Sequence, residues 1–444
     1  MRKCVDAIYS GLRNVMLVCS AWRMLAISQT VLWEVMPVFG RPSNLQAIKV
    51  NLPRVGNRPV RLTTIIPWGG VPSHIVDMIA EHTHRFRAFN VEGEEHEGIF
   101  DFITRLIRDS APTQLSELSV RHTSHSSKSE DHTTFSFPES SYNAGLDKWI
   151  GSLSVLLLDR VQLRWENTSF SDRLVELAIH RVKLEHSESS MTAFVLAISS
   201  ATRLRDLSIT SVEVCDQSTQ VADSTIPSKS LFPNLQSLSL RDLWFDVLEL
   251  FLLKIVPGSY RLTLVLTEKV VGILDEFNLP TSVGVDKLVI LLSHVQVNTL
   301  ILDRGHSTVG PWLDGLALRR LLDSTPRLEE LGIHGWRFDG RFCRELLPSP
   351  NSDTDDGTPV FPRVDKLHLT AAKILDAERF KHILANISTR TVVLGGRSRA
   401  GELSMDELHL DKKFADWLKC NVPGARLVSS GFLPAVMRIK EWLY

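Results

Sequence analysis

The sequence predicts an α/β repeat chain, a stack of short parallel strands with helices on the outside. Three observations predict it. A six-residue apolar pattern recurs along the chain, its copies start about thirty residues apart, and the chain is too long for one core. At 444 residues it exceeds the roughly 250–300 at which a single compact core stops growing, so it divides into domains or extends as an array.

The pattern is apolar-x-x-apolar-x-apolar. It reads FRAFNV from Phe86, LSELSV from Leu115, LSVLLL from Leu153, LVELAI from Leu174, LRDLSI from Leu204 and LQSLSL from Leu235. Farther on come VNTLIL from Val297, LEELGI from Leu328 and VDKLHL from Val364, with weaker forms LTLVL at Leu262 and TVVL at Thr391. In LSELSV, Leu118 and Val120 alternate with Glu117 and Ser119, which places the two pairs on opposite faces of a short strand. A lone strand leaves its apolar side uncovered. Stacked copies cover it, and each buried consensus leucine contributes about 1.5–3 kcal/mol. Chance repetition in an apolar-rich chain is the competing reading, and nine full copies at quasi-regular spacing weigh against it. The pattern resembles the longer leucine-rich repeats, so residues 41–444 are expected to form a leucine-rich-repeat-like solenoid with a C-terminal cap.

Between the strands, Met191–Ser199, Leu313–Asp323 and Ala377–Ile387 read as outer helices; in the last, Phe380, Ile383, Leu384 and Ile387 recur at helical spacing. Another match, VDKLVI from Val285, stands too close to Val297 for a full repeat, so Asp286–His294 is expected to be a helix. Arg121–Gly145, Cys215–Lys229 and Pro348–Pro359 are polar and read as surface loops.

Composition narrows the function. Fifty basic residues against fifty-one acidic ones leave a net charge of −1, so attraction of the whole molecule to nucleic acid or an anionic membrane is not expected. The five cysteines, Cys4, Cys19, Cys215, Cys343 and Cys420, are scattered and never form C-x-x-C. That spacing argues against a disulfide framework or a zinc site and fits a reducing compartment, cytoplasm or nucleus. The densest apolar run, Val247–Val256, contains Glu249 and Lys254 and is far short of the roughly 18–20 residues a membrane span needs.

The first forty residues have a different character. Leu12, Val15, Cys19, Trp22 and Ala26 step by three and four, which predicts one face of a helix ending near Ser28 or Thr30, with Leu32-Trp33 as a second apolar anchor. The stretch L-x-x-V-M-L-V-C-S-A-W-R-M-L-A-x-S-x-x-V-L-W-E-V, Leu12 to Val35, resembles the second half of an F-box-like domain. Asn51–Thr64 (NLPRVGNRPVRLTT) and His74–Val91 (HIVDMIAEHTHRFRAFNV) are similar to segments that follow that domain in fungal F-box/leucine-rich-repeat-like proteins. The resemblance implies a helix over Ser43–Asn51, a first strand over Pro59–Ile66 and a helix over Pro72–Glu81, which displaces the repeat match LQAIKV at Leu45. It also implies a substrate receptor of cullin-RING ubiquitin ligases, whose F-box-like helices hold a small adaptor subunit while the repeats hold the protein to be ubiquitinated. Val18, Cys19, Trp22, Leu32 and Trp33 would then build or brace the adaptor surface. The family opens with Leu-Pro well upstream of Val-Cys-x-x-Trp, and Met1–Ser10 has none. Residues 1–40 are therefore expected to be a partial F-box-like segment lacking its first helix. Read from the residues alone, Trp22 and Trp33 serve equally well as a hydrophobic cap on the first repeat.

No nucleotide, metalloprotease, C-x-x-C or serine-hydrolase motif is present. Gly395-Gly396 with Gly401 lacks phosphate-loop spacing and reads as a turn at a repeat end. Asp353, Asp355, Asp356 and Gly357 hint at a calcium loop, but aligning Gly357 with the loop glycine puts Arg363 where a Glu ligand belongs. His122, His125 and His132 lie in a polar stretch without a partner set and read as solvated. Cys343, in the helix-like RFCRELL, reads as a small buried hydrophobe. Asn167 and Asn386 head glycosylation triplets that carry little weight in a reducing compartment.

What remains is binding. The strand side away from the consensus leucines is expected to form a concave, solvent-facing surface carrying Glu117, Ser119, Glu176, Asp206, Ser208, Ser239, Glu330, Lys366 and His368, with apolar Leu157 and Ile301 either partner contact points or covered by a neighbouring loop. It has neither the basic groove nor the stacked aromatics of a nucleic-acid binder. A non-enzymatic receptor or a stand-alone repeat scaffold is expected, with no cofactor, metal, nucleic acid or membrane.

Overall fold

Eleven strands expected from the sequence lie side by side in one sheet. The computed structural model describes residues 2–39, 42–109, 114–123, 135–136, 144–184, 188–214, 232–254, 260–275, 279–305, 311–347, 363–387, 389–398, 412–422, 424–429 and 432–435. Its strands begin with β1 (Val35–Val38), β2 (Val60–Ile66), β3 (Phe86–Gly93), β4 (Glu117–His122), β5 (Val155–Asp159), β6 (Glu176–His180) and β7 (Asp206–Thr210). They continue with β8 (Ser237–Arg241), β9 (Arg261–Leu266), β10 (Thr299–Asp303), β11 (Glu330–His334), β12 (Val364–Ile374), β13 (Thr389–Ser398) and β14 (Arg426–Leu427). These fourteen, with Arg337–Phe338 beside β12, make a fifteen-stranded sheet whose order follows the chain. Neighbours run parallel from β1 to β14. Parallel neighbours need a crossover between them, and the intervening helices and loops provide it.

The consensus leucines meet in register. Leu118, Leu156, Leu177, Leu207 and Leu238 pair in succession from β4 to β8, and Leu300, Leu331 and Leu367 do so from β10 to β12. Between the two runs, β9 offers Leu262 to Leu238 and Leu264 to Leu300. The consensus row therefore steps by one pleat at β9, which explains why the repeat match there is weak. Leu118, Leu177, Leu238 and Leu331 are all buried in one hydrophobic cluster.

Helices close that cluster from the other side. α7 (Glu188–Ser199), α9 (Val285–Ser293), α10 (Gly315–Asp323) and α12 (Ala377–Asn386) fall on or near helices expected from the sequence, and α8 (Phe245–Lys254), which is not expected as a helix, joins them. They insert Phe194, Phe251, Leu288, Leu318 and Phe380 into it. α10 and α12 start with Asp314 and Asp376, whose side chains accept from the Ala317 and Arg379 amides, the usual satisfaction of free donors at a helix start.

A second regularity follows β5, β6, β7, β8 and β11 and recurs within β12. Arg160, Arg181, Ser211, Asp242 and Ala371 take left-handed backbone, φ 50–58°, as does Gly335 at 74°. The amide of each of five of these donates to the next strand, Arg160 to His180 O at 2.9 Å and Arg181 to Thr210 O at 2.8 Å being typical. The next residue turns back into the core: Val161, Val182, Val212, Leu243, Trp336 and Ala372 are all buried. The recurrent part of each such repeat is thus eleven residues, LxxLxLx, a left-handed residue and then apolar-x-apolar, as in LVELAIHRVKL from Leu174.

Several expectations are corrected. The sheet begins at β1, not at Pro59–Ile66, because Met36 and Val38 are fully buried against the core while β1 pairs with β2. β1 therefore lies on the N-terminal side of the boundary drawn at residue 40. Ser43–Asn51 and Pro72–Glu81 fall within or around α3 (Pro42–Val55) and α4 (Ser73–Ala80). His122 is not a loop residue but closes β4, where its Nε2 lies 3.0 Å from Glu94 O. Arg121 likewise belongs to β4, and Phe135–Ser136 form a short strand. Gly395-Gly396 sit inside β13 rather than in a turn. His125, His132, residues 215–229 and 348–359 and Gly401 lie outside the described residues. Among the described residues no helix is long and apolar enough to cross a membrane.

Candidate partner-binding surfaces

The N-terminal segment presents its apolar residues in two ways. α1 (Arg2–Val18) and α2 (Ser20–Ser28) are separate helices because Cys19 between them is fully extended. The stripe from Leu12 to Ala26 is therefore not one helix face. α1 buries Val5 and Leu12, and Tyr9 OH donates to Val35 O at 2.7 Å while accepting from Asn51 Nδ2 at 3.2 Å. Burial pushes the Tyr9 phenol up to about 12, so it stays a neutral donor.

The five residues assigned to an adaptor surface divide by exposure. Trp33 is 2% exposed; its Nε1 donates to Ala26 O at 2.9 Å, and the Arg54 guanidinium lies 4.3 Å above its ring. It fastens the end of α2 to the core. Val18 (66%), Trp22 (50%) and Leu32 (41%) are exposed, as is Cys19. Leu17, Met24, Leu25 and Val31 are exposed beside them in sequence, so residues 17–32 carry seven large apolar side chains in water. Trp33 thus fits the capping role, and Trp22 does not.

The second surface is the face of the sheet turned away from the helices. Register places the predicted partner residues on three adjacent rows of it. Glu117, Glu176 and Asp206 share one row. Ser119, Ser208, Ser239, Glu330 and Lys366 share the next, and His368 stands on the third. The expectation that all face solvent is corrected for two of them. Ser119 is fully buried and Glu117 nearly so, because Arg87 and Arg61 close over the Glu117 carboxylate at 3.2 and 3.7 Å. Asp206 accepts from Ser237 Oγ at 2.8 Å, and His368 Nε2 lies 3.0 Å from Glu330 Oε1, an arrangement that lowers the Glu330 carboxyl's pKa. Lys366 is exposed.

The third row also carries charges that the sequence reading did not single out. Asp159 and His180 are register partners on it, and Arg241 extends it; all three are buried. Burial drives the His180 imidazole down to about 4, helped by Arg181, Arg241 and Arg121 against the opposing pull of Asp159. The signal was present as a charged residue one step beyond the last consensus leucine.

Among the described residues no three His, Cys, Asp or Glu converge as metal ligands. Cys343 is fully buried in α11 (Gly340–Leu346), and burial pushes its thiol up to about 12, so it holds no nucleophilic thiolate. No family model and no curated protein sequence matches the chain.

Proposed function

We propose that the chain is the substrate-recognition subunit of an F-box-type cullin-RING ubiquitin ligase, binding its adaptor through the N-terminal helices and its target through the sheet face. The observation that carries this reading is the exposure of Val18, Trp22 and Leu32, three of the five positions that resemble the F-box-like pattern. Large apolar side chains gathered in water mark interaction surfaces on soluble chains, and Trp33 behind them is anchored as a brace would be. A leucine-rich-repeat-like solenoid is the architecture that accompanies this reading. Strand order that follows chain order, consensus leucines in register and a recurrent left-handed corner all support it.

The test is capture of the ligase adaptor by tagged full-length chain. Co-purification that is lost in Val18→Ala/Trp22→Ala, with unchanged thermal unfolding, supports the reading. Absence of adaptor while a target protein is still captured makes the chain a stand-alone repeat scaffold.

A further inference from the structure

On the sheet face turned away from the helices, the chain's own C-terminal segment is seated on an apolar patch over β9 and β10. Val265 in β9 and Ile301 in β10 are register partners, 7% and 0% exposed. They form a cluster separate from the main core, with Leu433 packed against it. The segment leaves β14 with Val428 N donating to Leu394 O at 3.0 Å. It then passes over Gly395, where a Cβ would lie 2.9 Å from Val428 Cγ2 and 3.0 Å from Ser429 O. Between there and Leu433 the chain moves from β13 to β10, three strand spacings or about 14 Å.

The row beneath it reads Val393, His368, Gly332, Ile301, Val265. Gly332 carries no side chain, and Ile301 leans into that space, its Cγ1 3.1 Å from where a Cβ would stand. Behind Leu433, Pro434 is buried. A sheet face has spent its backbone acceptors within the ladder, so an incoming amide pressed against it loses water without gaining a partner. Proline has no such amide. Thr299, Glu330 and Lys366 line the neighbouring row.

We propose that the face over β9, β10 and β11 is a docking site for a protein segment presenting an aliphatic side chain followed by proline, with Phe432–Ala435 as its resident occupant. This rests on the reading that the sheet face receives the target. A target segment of that chemistry binds by displacing Leu433, and the tethered occupant, held at an effective concentration of order millimolar, sets the affinity it must exceed.

The experiment uses full-length chain and a fluorescent peptide spanning Ser429 to Arg438. Wild type is expected to bind the peptide at least tenfold more weakly than Leu433→Asp, in which the tethered segment is released. Adding Ile301→Asp to Leu433→Asp is expected to abolish binding, as is placing Leu433→Asp in the peptide. Should Ile301→Asp not fold, hydrogen exchange on Leu433→Asp locates the peptide instead, with added protection expected across β9 and β10. Equal binding to wild type and Leu433→Asp, no binding to either, or protection confined to other strands overturns the proposal. Adaptor capture plays no part in this measurement, so its failure and that of the ligase reading are told apart.

Discussion

Arg181 grips Asp159 through both carboxylate oxygens: its Nε donates to Oδ1 at 2.7 Å and its Nη2 to Oδ2. Arg121 Nε approaches the same carboxylate at 3.1 Å. The contact ties the last residue of β5 to the left-handed corner after β6, and Asp159 is only 4% exposed. Removing the acid leaves two largely shielded guanidinium groups without their counter-charge. Asp159→Ala is therefore expected to lower stability by about 3 kcal/mol, measured by urea unfolding. A loss below about 0.5 kcal/mol, the level of ordinary surface substitutions, would show the pair to be incidental.

His180 makes stability depend on pH. Its folded value of about 4 lies below the ordinary 6.5, so the unfolded chain takes up the proton first. The contribution is complete above pH 6.5 and is lost as pH falls toward 4. The full effect is about 3 kcal/mol for this shift. His180→Gln should flatten the unfolding midpoint between pH 6.5 and 4 relative to wild type. Parallel pH profiles for the two proteins would refute the assignment.

The left-handed corners predict unequal responses to adding and removing one methyl group. Gly335→Ala places a Cβ at φ 74°, 3.2 Å from Arg304 Cβ, and should cost about 1 kcal/mol. Ala371→Gly relieves the same strain at φ 51° but loosens the unfolded chain, so the two effects offset and the change stays within about 0.5 kcal/mol. Equal destabilisation by both substitutions would mean that corner strain is not the governing quantity.

The two N-terminal tryptophans should separate stability from binding. Trp33→Ala empties a buried site and is expected to cost about 3–5 kcal/mol. Trp22→Ala removes a half-exposed ring and should change stability by less than about 0.5 kcal/mol while weakening adaptor capture. Thermal unfolding of the two variants decides it, and a large loss for Trp22→Ala would return that residue to a structural role.

Strands and their apolar faces were legible because alternation along a strand is a local property: LSELSV and LEELGI show it within six residues. The five residues after them were equally regular and went unused. Arg160, Arg181, Ser211 and Asp242 share a backbone conformation and no chemistry, so nothing in residue type marked them. Helix α1 illustrates a second limit. Spacing of three and four passes smoothly through Cys19, whereas the extended backbone there turns the chain and sends Leu12 inward and Trp22 outward.

By itself the sequence determined the periodic part: which repeat segments pair as strands, which of their residues point into the core and where some of the helices stand. Those follow from side-chain periodicity and the burial of apolar surface, and neither needs knowledge of distant residues. Only the tertiary structure decided what is open on the other face. Glu117 is closed over by Arg61 and Arg87, and Ile301 is covered by Leu433, more than a hundred residues later in the chain. Exposure depends on what packs above a strand, and that contact is set by how the whole chain returns on itself.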